Sequence, residues 1–242
     1  MSEPNRVALV TGGAQRVGRA IVETLAKNGF DIIFTFRSSG DEATKLVKLL
    51  ERESTRAIAV QIDLARVDDS IEDLRDAVKN FGRLDVLVNC ASMYQPDPET
   101  TDQAFAEKIG AINVVAPVRL MESFAAELRA SRGHVVNMLD ILAERPWPQY
   151  STYCASKAAL WNHTLSFARK LAPEVTVNGI APGVVAWPED YPADEKVKYL
   201  KRVPLGRSGT PEDVATLVHF LATEGTYITG QVIRLDGGRS IT

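Results

Sequence analysis

The chain is poor in cysteine and histidine, and it has no apolar run of the ~18 residues that a membrane-spanning helix needs. Its two cysteines, Cys90 and Cys154, lie in apolar or small-residue segments without metal-type spacing. That speaks against a disulfide scaffold or a zinc site, and for reduced thiols in a cytoplasmic protein. The three histidines, His134, His163 and His219, are scattered, so each is expected to be structural and no metal is expected. The opening MSEPNR lacks the apolar stretch of a signal peptide. No basic block occurs either: 28 Lys and Arg stand against 31 Asp and Glu, for a net charge of −3. Nucleic acid and anionic membrane are thereby disfavoured as main partners. Linkers, internal repeats and low-complexity stretches are also missing.

What is present is alternation. Short apolar runs read as strands at 6–11, 31–36, 56–62, 84–89, 133–139, 175–180 and 231–235. Helical patterns fill the gaps: one up to Asn28–Gly29, then roughly 41–53, 68–80, 101–130, the Tyr153 helix to about Leu171, and Pro211 to about Ala222. Strands and helices in this order predict an α/β fold, a doubly wound parallel sheet of seven strands with helices on both faces. The 242 residues make one domain, 1–242, with a loop-rich insert at about 182–209 as the expected substrate loop.

The turn TGGAQRVG at 11–18 joins the first strand to the first helix. Glycines there, Gly12, Gly13 and Gly18, permit a tight turn and close backbone approach to a pyrophosphate. Arg16 stands where this spacing could hold another glycine. Its guanidinium would start beside the phosphates and could reach toward a substrate, unless it merely faces solvent. At the end of the second strand an NAD-binding fold usually offers an acid about 20 residues past the glycines. This chain offers Phe36, Arg37, Ser38 and Ser39, so NADPH is the better partner. Asp63 and Leu64 end the third strand, placed to meet the adenine. Asn89, Cys90, Ala91 and Ser92 end the fourth, placed to line the nicotinamide ribose.

Tyr153 and Lys157 are one helical turn apart and leave the same face. A free tyrosine titrates near pH ~10 and is a poor acid at neutrality. A neighbouring ammonium would lower that pKa and yield a proton donor at working pH. Asp140 ends the apolar strand-like run before them, at the sheet edge where ligands bind in such folds. Asp140 could equally cap the next segment. Trp187, in the insert, reads as pocket wall or loop packing. Ala155, Ala158 and Ala159 give one small side to the Tyr153 helix, suited to subunit packing or simply to helix formation.

The turn TGxxxxxG, the N-x-A run at 89–91, Asn113 on the long helix, Y-x-x-x-K at 153–157 and P-G at 182–183 together resemble the short-chain dehydrogenase/reductase family. The resemblance covers essentially the whole chain. It implies a Rossmann sheet, a nicotinamide cofactor held also by Val17 and by Pro182, Gly183 and Val184, and usually a homotetramer. It also implies that Asn113 bridges backbone and Lys157 through a water, if it does not just cap a helix kink. Two departures from the common pattern narrow it: Arg16 replaces the middle glycine, and Asp140 replaces the catalytic serine. With Ser92, Tyr94 and the ending LDGGRSIT they resemble the pteridine reductases. In that subgroup an Asp–Tyr–Lys set supplies protons and an aromatic ring stacks over the pterin. The resemblance thus makes Asp140, Tyr153 and Lys157 catalytic, and puts Arg16, Ser92 and Tyr94 at the pterin and the cofactor; Trp187, by its place in the insert, is a further candidate at the substrate.

The chemistry favours the same choice. An ionised aspartate cannot donate a hydrogen bond to a carbonyl oxygen and would repel charge developing there. A C=N bond that takes hydride at carbon needs a proton at nitrogen, which an Asp–Tyr pair can relay. The expected function is therefore NADPH-dependent reduction of a dihydropterin or dihydrofolate, with oxidised pterins as further possible substrates. An NADPH-dependent carbonyl reductase, such as a 3-oxoacyl reductase, is the alternative. A non-catalytic dinucleotide-binding regulator would have no use for the Tyr153–Lys157 pair.

Overall fold

The computed structural model describes residues 5–100, 102–188 and 190–242. Met1–Pro4, Thr101 at the predicted start of the long helix, and Glu189 in the insert lie outside it. The apolar runs become strands β1 (Arg6–Val10), β2 (Phe30–Phe36), β3 (Ala57–Gln61), β4 (Val86–Asn89), β5 (His134–Met138), β6 (Thr176–Pro182) and β7 (Val232–Leu235). They form one parallel sheet in the order β3-β2-β1-β4-β5-β6-β7. The order reverses between β1 and β4, and the crevice at their carboxyl ends is where such sheets bind ligands.

The helices are α1 (Arg16–Lys27), α2 (Gly40–Arg52), α3 (Ile71–Phe81), α4 (Gln103–Gly110), α5 (Ala116–Ser123), α6 (Ala125–Ser131), α7 (Ser151–Leu171), α8 (Ala193–Leu200) and α9 (Pro211–Thr223). Alternate side chains of a strand face opposite sides, and both sides of this sheet are apolar. Ala8, Val10, Ile32 and Phe34 pack with Ile21, Leu25 and Leu46 of α1 and α2 and Val218 of α9. Val7, Leu9, Ile33 and Leu87 pack on the other side with Leu74 of α3, Leu120 of α5 and Phe167 of α7. Burial on both faces explains why the strands read as continuous apolar runs.

Two expected segments are subdivided. The long helical region over 101–130 consists of three helices. A π-helical turn, Ala111–Val115, joins α4 to α5, and a break at Phe124 (φ −107°) bends the run by 56° before α6. The loop-rich insert at 182–209 also holds α8. No single described helix is long and apolar enough to cross a membrane. Both cysteines are free thiols, and burial pushes Cys90 up to about 11. His134 bonds Thr176 at 2.8 Å, a structural role, and no metal-type cluster occurs among the described residues.

Candidate active site

The glycine turn is drawn tight by groups around it. Gly12 takes φ +68°, its N–H donates to Thr35 Oγ1 at 3.1 Å, and Gly13 N–H donates to Thr35 O at 2.9 Å. A Cβ on Gly18 would lie 2.1 Å from Gly12 O, so only glycine lets the first turn of α1 close on the loop. Thr11 Oγ1 accepts from the N–H groups of Cys90 and Ala91 at 2.9 and 3.0 Å, clamping the end of β1 to the end of β4. The result is a bare backbone cradle at a helix N-terminus, which fits a pyrophosphate. Arg16 adopts φ +51°, a left-handed conformation that a glycine would take freely. Its Nη2 reaches across the cleft to the Ala186 carbonyl at 3.2 Å.

Two cavities share the rim formed by Gly12, Gln15 and Ala91. One, about 410 Å³, is lined by Arg37, Ser38, Asp63 and Leu64, so the residues expected at the adenine end do converge. Arg37 and Ser38 are exposed there, and Asp63 Oδ1 caps the turn that follows β3 by accepting from Ala65 N at 3.0 Å. The other, about 780 Å³, brings together Arg16, Val17, Ser92, Tyr94, Asp140 and Tyr153 on one side. Lys157, the Pro182–Val184 run and Trp187 complete its wall. Asn89 is buried behind these walls. Its Nδ2 donates to Asn137 Oδ1 at 2.8 Å, while its own Oδ1 has no partner.

The polar centre is built from three elements. Asp140 follows β5 and uses both oxygens: Oδ1 accepts from Leu142 N at 2.9 Å, and Oδ2 accepts from the Tyr153 hydroxyl at 2.8 Å. The residue therefore caps the next turn and also holds the tyrosine. Burial raises the Asp140 pKa above the usual carboxylate value. Tyr153 departs from expectation. Burial first, and then the negative charge of Asp140, push its pKa well above the ordinary phenol value, so Lys157 does not hold it down. Lys157 instead donates to the Met138 carbonyl at 2.8 Å, its Nζ 5.7 Å from the tyrosine ring centre. Burial lowers its own pKa to about 8.

Asn113 sits at a helix irregularity, as one of its two expected roles required. It lies in the π-helical turn, where Oδ1 accepts from Ser92 Oγ and Met93 N, and Nδ2 donates to Met93 O and Ser156 Oγ. It thus ties the end of β4 to α7 from within the bend of the long helical region. Tyr94 stacks on Tyr150, with ring centres 4.6 Å apart and planes 6° apart, and meets Tyr153 edge-on at 4.8 Å. The ring expected to cover a pterin has an aromatic partner already. Trp187 serves as both pocket wall and packing, edge-on to Tyr199 at 5.3 Å. Sequence reasoning missed Asp97, which accepts from Thr152 N at 3.3 Å and from Ser151, and so fixes the start of α7.

A family model described as enoyl-(acyl carrier protein) reductase matches residues 12–240. Pteridine reductase 1 of Leishmania tarentolae is 35% identical, over 98% of this chain and 96% of the relative. A 3-oxoacyl-[acyl-carrier-protein] reductase of Staphylococcus epidermidis is 32% identical, over 97% of this chain and 98% of its own. A solved structure of a blue fluorescent protein from a metagenomic library, in complex with NADPH, superposes with a TM-score of 0.90 at 34% identity. That match covers 97% of each chain.

Proposed function

We propose that this chain, which belongs to the short-chain dehydrogenase/reductase family, is an NADPH-dependent reductase of a C=N bond in a dihydropterin or dihydrofolate. The observation that carries the reading is the 2.8 Å hydrogen bond from Tyr153 to Asp140, a carboxylate in the place of a carbonyl reducer's serine. NADPH is the cofactor, and the glycine cradle at Gly12–Gly18 and the Arg37–Ser38 rim fit its pyrophosphate and 2′-phosphate. When bound, it supplies the hydride for the ring carbon.

The residues of the chain do the rest. Tyr153 donates its hydroxyl proton toward the ring nitrogen left electron-rich by the hydride. Asp140 orients that hydroxyl and, with a raised pKa, can carry a proton and pass it to the Tyr153 oxygen as the tyrosine gives its own to the ring nitrogen. Lys157, fixed by the Met138 carbonyl with its ammonium 5.7 Å from the tyrosine ring centre, would hold the cofactor ribose. Arg16 and Trp187 close the cavity over the substrate, with Tyr94 supplying an aromatic face. Ser92 lines the site where Asn113 holds it.

Arg37 and Ser38 supply the cofactor preference. Hydrogen bonds to a charged group are worth about 1.5–3 kcal/mol, roughly 10- to 150-fold in affinity. NADPH should bind tighter than NADH by that order, and Arg37→Ala should remove most of the difference. Paired fluorescence titrations check this, and equal affinities in the unmodified protein would sink it.

The second reading is a 3-oxoacyl reductase, favoured by the acyl-carrier-protein enzymes among the relatives. Oxidation of NADPH followed in parallel with dihydrobiopterin, dihydrofolate and a 3-oxoacyl ester decides between them. Turnover of the ester alone would overturn the pterin reading. Ala155 and Ala158 are exposed on α7, which supports assembly through that helix into a homotetramer. Light scattering would contradict this by showing a 26.5 kDa particle.

A further inference from the structure

The large cavity carries three arginines that neither the cofactor nor the Tyr153–Asp140 pair accounts for: Arg145, Arg202 and Arg239. They come from three separate segments: the turn after β5, the end of α8, and the final 3-10 turn, Arg239–Ile241. Arg239 is only 8% exposed, and its guanidinium carbon lies 5.5 Å from the Tyr199 ring centre. Its Nε is buried without a hydrogen-bond partner. A buried charged donor left unpaired is costly, and such groups call for a partner that a ligand can supply.

The neighbouring acids do not fill that role. Asp236 accepts from Gly238 N at 2.9 Å and Ser240 N at 2.7 Å. Asp140 is committed to Leu142 and Tyr153. Arg145 spends one donor on the Thr242 carbonyl at 3.1 Å, and Arg202 is exposed. Burial, followed by the like charge of Arg202, pulls the Arg239 pKa down, so the cluster is under electrostatic tension that an anion would relieve.

We propose that Arg202 and Arg239, assisted by Arg145, form an anion subsite for a carboxylate or phosphate-ester group on the side arm of the substrate. The attachment of that arm to a pterin rests on the function proposed above; the anion site itself does not. The favoured substrate is then an anionic dihydropterin conjugate.

The test compares kcat/KM for dihydrobiopterin, whose arm is neutral, with dihydrofolate (carboxylates) and dihydroneopterin monophosphate (phosphate). At least one anionic substrate should exceed the neutral one by about 10- to 150-fold, the span of charged hydrogen bonds. Arg202→Gln and Arg239→Gln should each lower that anionic-to-neutral ratio about tenfold or more, with Arg202→Lys partly restoring it. Whichever anionic substrate gains identifies the group recognised.

Quenching of Trp147 and Trp187, which line the cavity, gives an independent binding readout with p-aminobenzoylglutamate and with inorganic phosphate. Should Arg239→Gln fail to fold, the exposed Arg202 still carries the test. Ratios near one, or ratios unmoved by Arg202→Gln, overturn the subsite while leaving pterin reduction standing. If no dihydropterin turns over but Arg202→Gln still abolishes anion binding, the subsite stands and the pterin reading falls.

Discussion

Tyr153→Phe should lower kcat for a dihydropterin by about 10²–10⁴-fold, the usual worth of a positioned general acid, with NADPH affinity little changed. Phenylalanine keeps the ring that meets Tyr94 edge-on at 4.8 Å and fills the same buried volume. It deletes only the hydroxyl that donates to Asp140. The loss should therefore appear in kcat rather than KM, because on the proposed reading the hydroxyl acts on a nitrogen whose charge develops during hydride transfer. The unusual feature is that Tyr153 is held as a neutral phenol. Burial and the Asp140 carboxylate disfavour the phenolate, and Lys157 points at the Met138 carbonyl. The hydroxyl is thus kept protonated and ready to donate, which suits delivery of a proton better than removal of one. Steady-state rates with saturating NADPH measure the effect; a variant retaining more than a tenth of the wild-type kcat would remove Tyr153 from the proton path.

Much of this was legible in the sequence because the signals are local. Apolar runs bounded by turn residues marked all seven strands, and the glycine turn announced the cradle before any contact was known. Even the strained Arg16 was visible as an arginine in a glycine's place, and its φ of +51° is the physical counterpart. The signal for α8 was present too. Pro192 precedes it, Asp194 and Glu195 open it, and Lys198 closes it, yet eight residues inside a proline-bearing insert are easily read as loop.

Other features had a weaker local signal or none. Gly110 precedes the π-helical turn at 111–115 and Pro117 follows it, without the N–H that a helix would direct at the Asn113 carbonyl, whereas the break at Phe124 has neither residue beside it. The turn places Asn113 against Met93 and Ser156 through contacts 20 and 43 residues apart in the chain. Asp97 reaches Ser151 across 54 residues. The direction of the Lys157 ammonium depends on the Met138 carbonyl, 19 residues upstream. Motif spacing alone put that ammonium beside the phenol. Separation along the chain, rather than lack of chemistry in the residues, is what hid these contacts.

The more discriminating substitution is Asp140→Ser, because it returns the site to the donor that carbonyl reducers use. Serine can still accept the Leu142 N–H, so the turn after β5 keeps a cap. It cannot present a carboxylate to Tyr153. Two consequences follow. The tyrosine loses the negative charge that, after burial, most raises its pKa, so that pKa falls and the high-pH limb of any activity profile moves to lower pH. The proton relay loses its second member, so dihydropterin turnover should fall well beyond tenfold, toward the about 10²–10⁴-fold ceiling for general acid–base groups. Affinity for NADPH should hardly change, since the glycine cradle and the Arg37 rim are untouched. Asp140→Asn separates charge from shape: it keeps the size and the cap but lacks the acid, and should be as impaired as the serine variant. If both variants reduce dihydropterin at the wild-type rate, Asp140 is only the cap of a turn. The case for C=N chemistry over carbonyl chemistry would then lose its mechanistic ground.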